Sequence, residues 1–230
     1  MKIKGFRGTT LIDFPGRIAS IIFASGCNFR CPYCHNPDLV CEPVSLSFID
    51  EADILNELAR RKGFIDGVVI TGGEPLIQPD IGRFIQKIKT LGLAVKLDTN
   101  GYFPEELASL LEMDVIDYIA MDIKTSPPKY EKAVHRRIDF DRIQNSINLI
   151  KDRAPAYEFR TTAVPGIVEK QDVETMLHLL GTVPRFALHQ FNPRITLDPS
   201  FGHITPYRRE TLDQLADLLR PHVDEVILQY

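Results

Sequence analysis

Residues 18–34 read IASIIFASGCNFRCPYC, and this stretch decides the fold. The apolar run 18–23 predicts a short buried strand. Three cysteines, Cys27, Cys31 and Cys34, follow it within eight positions. This crowding is a poor distribution for disulfide bonds in a chain of 230 residues and favours a bound metal or cluster at the end of the strand.

The three thiolates leave two kinds of site open. A structural zinc ion usually takes four protein ligands, but the sequence has no second cysteine pair, and His35 follows Cys34 too closely to be an easy fourth ligand. An iron–sulfur cluster held by three thiolates keeps one iron open to a small molecule, and the trio favours this second kind. Cys41 could add a fourth ligand, but we expect an incidental thiol there.

Short β-rich runs alternate with amphipathic stretches along the whole chain, which predicts repeated βα units. The predicted strands are 18–23, 68–71, 94–98, 118–122, 157–164 and 186–191, with a further terminal strand at 226–228. The predicted helices are 48–61, 81–91, 104–111, 140–151, 173–180 and 208–219. Such units form either a closed barrel or an open doubly wound sheet, and periodicity does not choose between them.

Length and composition predict one domain over residues 1–230, with 1–17 as a lead-in segment. The formal net charge of -4 gives no bulk attraction to nucleic acid or to an anionic membrane. Residues 1–7 alternate charged and apolar side chains, unlike a signal peptide, and no apolar run approaches the roughly 20 residues of a membrane span. We therefore expect a cytoplasmic protein with no nucleic-acid or membrane partner.

Further polar motifs follow the later strands. They are Gly72-Gly73-Glu74-Pro75, Asp98-Thr99-Asn100-Gly101, Asp122-Ile123-Lys124, Arg160 within the next strand, and Gln190-Phe191-Asn192 after the sixth. Paired glycines let a ligand approach the backbone, and an adjacent carboxylate can receive an ammonium group. Each motif by itself also reads as a turn or an ordinary polar network.

Cys-x3-Cys-x2-Cys with an aromatic residue before the last cysteine resembles the signature of the radical S-adenosylmethionine superfamily. The resemblance implies that Cys27, Cys31 and Cys34 hold three irons of a 4Fe-4S cluster, with S-adenosylmethionine on the fourth. One electron would then split the sulfonium and release a 5′-deoxyadenosyl radical that abstracts hydrogen, with no catalytic side chain beyond the cluster ligands. Tyr33 would lie near the adenine.

The same resemblance assigns the methionine amine to Gly72, Gly73 and Glu74. In glycyl radical enzyme activases, the acids of the next two motifs surround a monovalent cation that touches the cofactor carboxylate. By position these donors are Asp98, Thr99, Asp122 and the carbonyl of Ala120. Asn100, Lys124 and Arg160 would contact the cofactor, as would a residue after the sixth strand, where Asn192 and Gln190 are the candidates.

Residues 8–17, GTTLIDFPGR, resemble activating proteins of anaerobic ribonucleoside-triphosphate reductase. Pyruvate formate-lyase activases share the later motifs. Both imply a partial (β/α)6 barrel of the TIM type that removes a Cα hydrogen from a glycine of a partner protein, with electrons from flavodoxin or ferredoxin. Two alternatives stay open: a radical enzyme acting on a small molecule, such as 7-carboxy-7-deazaguanine synthase, and a zinc-binding interaction domain.

Overall fold

Across residues 1–41 and 47–230, which the computed structural model describes, the chain forms one eight-stranded sheet. The strands are β1 Ile3–Thr10, β2 Ala19–Ala24, β3 Gly67–Gly72, β4 Ala94–Thr99, β5 Tyr118–Asp122, β6 Tyr157–Ala163, β7 Val183–Gln190 and β8 Val223–Gln229. β1 is antiparallel to β2, whereas every later pair of neighbouring strands is parallel.

The strand order distinguishes between the two architectures left open by the sequence. A doubly wound sheet reverses its strand order at one point, but here each strand is hydrogen-bonded to the strands that precede and follow it in the chain. Residues from all eight strands line one cavity, so the sheet curves around that cavity. The predicted α/β fold, a partial barrel with a parallel sheet, is confirmed.

The sheet has two more strands than the six predicted units, which correspond to β2 through β7. β8 contains the run 226–228 that predicted a terminal strand. β1 lies inside residues 1–17, where only a lead-in segment was expected. An edge strand buries only part of its side chains, and apart from Ile3 and Thr10 the residues of β1 are partly or fully exposed, so no apolar run revealed it.

The described α-helices are α1 Pro37–Cys41, α2 Glu51–Arg61, α3 Ile81–Thr90, α4 Pro104–Glu112, α5 Tyr130–Val134, α6 Phe140–Arg153, α7 Lys170–Leu180 and α8 Arg209–Leu219. Six match predicted helices, and the five-residue α1 and α5 were not predicted. α2 begins at Glu51 rather than at residue 48 because the Asp50 side chain caps it by accepting from the Ala52 N–H. In the described part of the chain, no helix has both the length and the apolar character required to cross a membrane.

The two faces of the parallel strands have different roles. Val95 and Leu97 of β4 lie in the main hydrophobic cluster with helix residues such as Ile85, and burial of this kind contributes about 25 cal/mol per Å² of apolar surface. Lys96 and Asp98 alternate with them and therefore point to the opposite, inner face. Parallel strands thus hold the main apolar core on one side, and on the other they carry polar groups into the barrel beside a smaller apolar cluster that includes Ile21 and Val69.

Candidate functional site

The three cysteines of the 27–34 loop line a cavity of about 460 Å³ inside the barrel. The loop starts where β2 ends, and Gly26, whose φ of +83° suits glycine, donates its N–H to the Leu39 carbonyl at 2.8 Å. Cys31 is buried, and Cys27 and Cys34 are half-buried. All three thiols therefore line one cavity at the carboxyl end of the sheet.

Burial controls the protonation of these thiols. It raises the pKa of Cys27 to about 12, with a further contribution from Glu74, and the pKa of Cys31 to about 11. The backbone N–H of Phe29 donates to Cys27 Sγ at 3.4 Å, and Asn36 donates likewise to Cys34 Sγ. Cys27 and Cys34 thus already accept hydrogen bonds that would stabilise a thiolate. Because burial raises the pKa of the thiols, they lose their protons only when a cation binds.

Two segments remote in sequence fix the cysteine loop. The Arg30 N–H donates to the Val134 carbonyl at the end of α5, and the Asp198 N–H donates to the Pro32 carbonyl, both at 2.9 Å. These bonds fix the backbone on either side of Cys31, which keeps the spacing of the cysteines defined without any disulfide. Cys41, by contrast, is exposed at the end of α1 and does not line the cavity.

The donor set fits an iron–sulfur cluster. Within the described residues, no three His, Cys, Asp or Glu side chains are grouped so as to hold a metal ion. Each thiolate of a cluster binds its own iron, so the sulfurs that hold a cluster stand further apart than the ligands of one ion. One buried and two half-buried thiols line one cavity, and the two half-buried thiols already accept backbone N–H donors, which is consistent with that arrangement.

Gly72 and Gly73 allow the end of β3 to pack directly against the cysteine loop. A Cβ on Gly73 would lie 1.8 Å from the Gly26 carbonyl oxygen, and one on Gly72 would lie 2.4 Å from Ala24 backbone atoms. The Gly73 N–H donates to the Ala24 carbonyl at 3.0 Å. The glycine pair therefore has a packing role as well as the ligand role that the sequence suggested, because no side chain fits at either position.

Glu74 is completely buried and joins two loops. Its carboxylate accepts from the Thr99 hydroxyl at 2.8 Å, the Asn100 N–H at 2.7 Å and the Leu76 N–H at 3.1 Å. Burial raises the pKa of Glu74 to about 7, against the opposing effect of these donors. The acid expected to receive an ammonium group thus already supports the Asp-Thr-Asn-Gly turn, although it also borders the cavity.

Asp98, Asp122 and Arg160 meet on the inner face of the barrel. The strand register places Asp98 opposite Ala120 and Asp122 opposite Arg160. Arg160 Nε donates to Asp122 at 2.9 Å, and its Nη1 donates to Asp98 at 3.1 Å. Lys124 Nζ donates to Asp122 at 3.0 Å. The placement of these motifs follows from neighbouring parallel strands that end at the same edge.

Lys96 completes this network, and sequence reasoning missed it. The side chain is only 1% exposed, and Nζ lies 2.6 Å from Asp98 and 3.8 Å from Glu158. A lysine two residues before Asp98 in a buried strand was the available signal, because period-two alternation puts both on one face. Burial would raise the pKa of Asp98 and Asp122, but the neighbouring cations outweigh it and hold both pKa values below their usual range, with Arg160 the strongest of them.

Three of the residues expected around a monovalent cation, Asp98, Thr99 and Asp122, line the cavity. The hydroxyl of Thr99 points to Glu74, and the carboxylates of Asp98 and Asp122 hold Arg160 between them. Ala120 lies in the middle of the sheet, between β4 and β6. The cation site stays a prediction from the resemblance; in this structure Arg160 bridges the two acids.

The structure also corrects the expectation for the end of β7. Asn192 is exposed, and its side chain accepts from the Arg194 N–H. Gln190 donates to the Tyr207 carbonyl at 2.6 Å, and neither residue lines the cavity. His189 does, because it is paired with Thr162 and shares the inward face. Strand alternation, counted from the end of β7, would have selected it.

Several buried polar atoms around the cysteine loop and the end of β7 lack a hydrogen-bond partner within the described residues. They are the Tyr33 hydroxyl, Asn28 Nδ2, His189 Nε2 and Gln190 Oε1, besides the more distant Ser146 hydroxyl. Tyr33 and His189 line the cavity, and burial lowers the pKa of His189 to about 4, helped by Arg160. Buried polar groups normally have partners, so the Tyr33 hydroxyl and His189 Nε2 suit a polar organic ligand in the cavity beside the thiols.

Comparison with known proteins identifies the family. The model of the Radical SAM superfamily matches residues 21–180. A Methanocaldococcus jannaschii protein with the name "Putative glycyl-radical enzyme activating enzyme" is 32% identical over 232 residues, which covers 99% of this chain and 95% of the relative. The pyruvate formate-lyase-activating enzyme of Listeria monocytogenes is 31% identical over 191 residues, covering 75% of this chain and 73% of the relative.

Among solved structures, Streptococcus suis SuiB bound to its precursor peptide SuiA superposes with a TM-score of 0.70 at 13% identity. The match covers 91% of this chain but only 48% of SuiB, and at this identity the likeness concerns the fold. Together with three thiols on one barrel cavity, the family match over most of the chain leads to one conclusion. The chain belongs to the radical SAM superfamily, whose enzymes use a 4Fe-4S cluster and S-adenosylmethionine.

Proposed function

We propose that this chain is an activating enzyme that removes a Cα hydrogen from one glycine of a partner glycyl radical enzyme. The observation that carries the proposal is the extent of the cavity. It reaches from the three cysteines to Arg7 on β1 and Gln229 on β8, the two edge strands of the sheet. Since these strands are not paired with each other, the barrel has a side at which an extended peptide segment can approach the cysteine loop.

In this proposal Cys27, Cys31 and Cys34 bind the cluster. When bound, the cluster would supply the electron that cleaves S-adenosylmethionine to a radical able to abstract hydrogen. The cofactor contacts are Tyr33, Gly72, Gly73, Glu74, Asp98, Asn100, Asp122, Lys124 and Arg160, all of which line the cavity. To these we add His189, whose unpartnered Nε2 borders the same space. The chain itself supplies position, charge and exclusion of water.

Lys124 and Arg160 offer positive charge to the methionyl carboxylate, and Tyr33 offers an aromatic surface to the adenine. The half-buried and buried side chains around them shield the thiols from bulk water. Shielding matters because a carbon-centred radical must abstract hydrogen from the partner's glycine and from no other donor, and a closed site prevents such side reactions.

The partner that the sequence favours is anaerobic ribonucleoside-triphosphate reductase, on the strength of residues 8–17. A pyruvate formate-lyase-type partner is the second candidate, supported by the name of the Listeria relative. We assign the whole of residues 1–230 to one catalytic domain, supported by Arg7, which brings the lead-in segment to the cavity. A cytoplasmic location and reduction by flavodoxin or ferredoxin complete the proposal.

The test is anaerobic reconstitution with iron and sulfide, reduction, and addition of S-adenosylmethionine with each purified candidate partner. Electron paramagnetic resonance should show a glycyl radical doublet on one partner, and no doublet when the target glycine of that partner is replaced by alanine. Cofactor cleavage without a protein radical on either partner would overturn the activase assignment. Product formation from a small pterin-like substrate would instead favour the deazaguanine-type reaction.

A further inference from the structure

The side-chain amides of Asn28 and Asn100 form a pair directly beside the Cys27 thiol. Asn100 Nδ2 donates to Asn28 Oδ1 at 2.8 Å and lies 3.9 Å from Cys27 Sγ. Asn28 Oδ1 is itself 3.8 Å from the same sulfur. The two amides belong to different loops, one after β2 and the other after β4, and they meet at one of the three thiols assigned to the cluster.

Asn100 is held at both its backbone and its side chain. Its N–H donates to the Glu74 carboxylate at 2.7 Å, and its Oδ1 accepts from the Tyr102 N–H at 3.0 Å. The ring of Tyr102 packs against the ring of Phe29, with centroids 5.5 Å apart, and so joins the same two loops. Asn100 is only 5% exposed. The direction of its amide is therefore fixed by the fold.

The pair has N–H donors to spare. Asn28 Nδ2 is buried and has no hydrogen-bond partner within the described part of the chain. Asn100 Nδ2 carries two hydrogens; one is used on Asn28 Oδ1, which leaves the other for the Cys27 sulfur. A buried donor without an acceptor is unfavourable. Sulfur at the Cys27 corner of a bound cluster would be an acceptor for these hydrogens.

We propose that the Asn28–Asn100 pair donates hydrogen bonds to sulfur at the Cys27 corner of the 4Fe-4S cluster and thereby raises its reduction potential. A neutral thiol is a weak acceptor, in keeping with the long contacts to Sγ, whereas hydrogen bonds to an ionised acceptor are roughly twice as strong. Reduction adds one negative charge to the cluster, so N–H donors stabilise the reduced form more than the oxidised form.

The pair would therefore make the cluster easier to reduce by an external one-electron donor. The inference rests on the cluster ligands of the proposed function and is independent of which protein the enzyme activates.

Redox titration of the reconstituted protein, without S-adenosylmethionine, gives the first test. The potential is set with dithionite and mediators, and the reduced cluster is followed by electron paramagnetic resonance. Asn28→Leu removes both the oxygen that orients Asn100 and the unpartnered Nδ2. We expect the equilibrium constant for one-electron reduction to fall about tenfold, a shift of about 59 mV to lower potential. A change of less than about twofold, or a shift to higher potential, would overturn the inference.

A second variant tests whether the two amides act together. Asn100→Ser keeps an oxygen for the Tyr102 N–H, because serine forms the same kind of turn more weakly, but it lacks the amide that reaches Asn28 and Cys27. We expect the potential to fall in this variant as well. Since the residues act as one unit, the double variant should show about the shift of the larger single variant. Fully additive shifts would indicate two unrelated effects and would refute the pair.

Asn148→Leu is the matched control. Asn148 Oδ1 accepts from Gln144 Nε2 at 3.1 Å, so this variant also breaks a pair of side-chain amides, but on α6, where neither residue lines the cavity. We expect its reduction potential to equal that of the wild type. A fall as large as that of Asn28→Leu would show a general effect of the substitution and would overturn the assignment to the Asn28–Asn100 pair.

A measurement with both amides in place decides the question if the variants take up too little iron. The protein is made with asparagine that carries nitrogen-15 only in its side-chain amide, and Asn36, which also lines the cavity, is replaced by aspartate so that it contributes no such nitrogen. Pulsed electron paramagnetic resonance of the reduced cluster should then show coupling to nitrogen-15.

The two ways of failing are distinct. A cluster that assembles but shows no nitrogen-15 coupling defeats the role of the Asn28–Asn100 pair and leaves the proposed function standing. If the wild-type protein assembles no cluster at all, the cluster ligands of the proposed function are wrong, and the inference falls with them.

Discussion

The Thr99 hydroxyl donates a 2.8 Å hydrogen bond to Oε1 of the fully buried Glu74, which joins the turn after β4 to the loop after β3. Oε2 of the same carboxylate accepts from the Asn100 N–H at 2.7 Å. The Gly-Gly-Glu-Pro and Asp-Thr-Asn-Gly motifs are therefore one structural unit in the folded chain. Because the Glu74 N–H donates to the Gly26 carbonyl at 2.8 Å, this unit also supports the cysteine loop.

Glu74→Gln should destabilise the unloaded protein by about 1–3 kcal/mol, because the new amide group sets an N–H donor against the Thr99 or Asn100 donor in a buried site. The free energy of unfolding from urea titration measures the effect. Glu112→Gln is the control, since Glu112 is 68% exposed and makes only a 3.6 Å contact with Arg153. Equal stability of the two variants would mean that Glu74 does not support the turn.

Gly73→Ala should lower stability by about 1–3 kcal/mol through overpacking and should reduce iron uptake, because the added methyl group meets the Gly26 carbonyl. Gly202→Ala offers a comparison at a glycine whose added Cβ would lie 3.5 Å from its nearest neighbour, Pro193. Iron content after reconstitution and thermal unfolding report both effects. Full iron uptake by Gly73→Ala would show that the loop shifts without consequence.

Cys31→Ala should abolish cluster assembly, reducing iron from about four atoms per chain to a small fraction of that, because a cluster with two remaining thiolates is poorly held. Cys41→Ala should retain normal iron content, since Cys41 is exposed and outside the cavity. Iron analysis and the visible absorption of the reconstituted proteins provide the measurement. Normal iron in Cys31→Ala would defeat the assignment of the cluster ligands.

Asp122→Ala should weaken S-adenosylmethionine binding by about tenfold to a hundredfold, the equivalent of one charge-assisted hydrogen bond, with iron content nearly unchanged. The reason is that Asp122 positions both Arg160 and Lys124, while no cysteine depends on it for a hydrogen bond. Equilibrium binding and iron analysis are compared with those of Asp224→Ala on the exposed face of β8. A greater loss of iron than of binding would make Asp122 a structural residue.

The pH dependence of stability should reveal Asp172, which accepts from Ser126 at 2.5 Å, Lys129 at 2.7 Å and the Glu169 N–H at 2.9 Å. Burial alone would raise the pKa of Asp172, but these donors outweigh it and lower the pKa. The native state therefore binds this proton less readily than the unfolded chain, and the contribution is present above pH of about 4 and lost below it.

Asp172→Asn should accordingly cost about 1–3 kcal/mol at pH 7, and its difference from wild type should shrink as the pH falls below about 4. Urea unfolding of the unloaded protein at pH 7 and pH 3 measures both quantities. Asp217→Asn, at an exposed ion pair on α8, should change stability by less than about 1 kcal/mol at either pH. If the difference in unfolding free energy between Asp172→Asn and wild type does not change with pH, the charge of Asp172 does not account for it.

Most of the fold could be predicted from the local pattern of apolar and polar residues along the chain. The parallel strands β2 to β7 are apolar enough on their outer faces to be visible as short runs, so their positions could be predicted within a few residues. β1 could not, because an edge strand with exposed Arg7 lacks such a run. The choice between a barrel and an open sheet also lay beyond periodicity, since it depends on which strands pair, and pairing is a long-range property.

The candidate site divides in the same way. Motifs at strand ends could be assigned to one edge of the sheet, because parallel strands end together, and this brought Asp98, Asp122 and Lys124 to the cavity as expected. The choice of His189 over Gln190 and Asn192 depended on the register of β7 against β6. One residue of uncertainty in register exchanges the inner face for the outer one.

The sequence by itself determined which chemical groups are present, because residue type and local spacing can be read directly from it. These groups are three thiols at one strand end, the glycine pair, and the acids and bases that follow later strands. Only the tertiary structure decided which charges meet. Arg160 bridges Asp98 and Asp122 because β4, β5 and β6 lie side by side in register, and electrostatic contacts depend on distances in space that spacing along the chain does not specify.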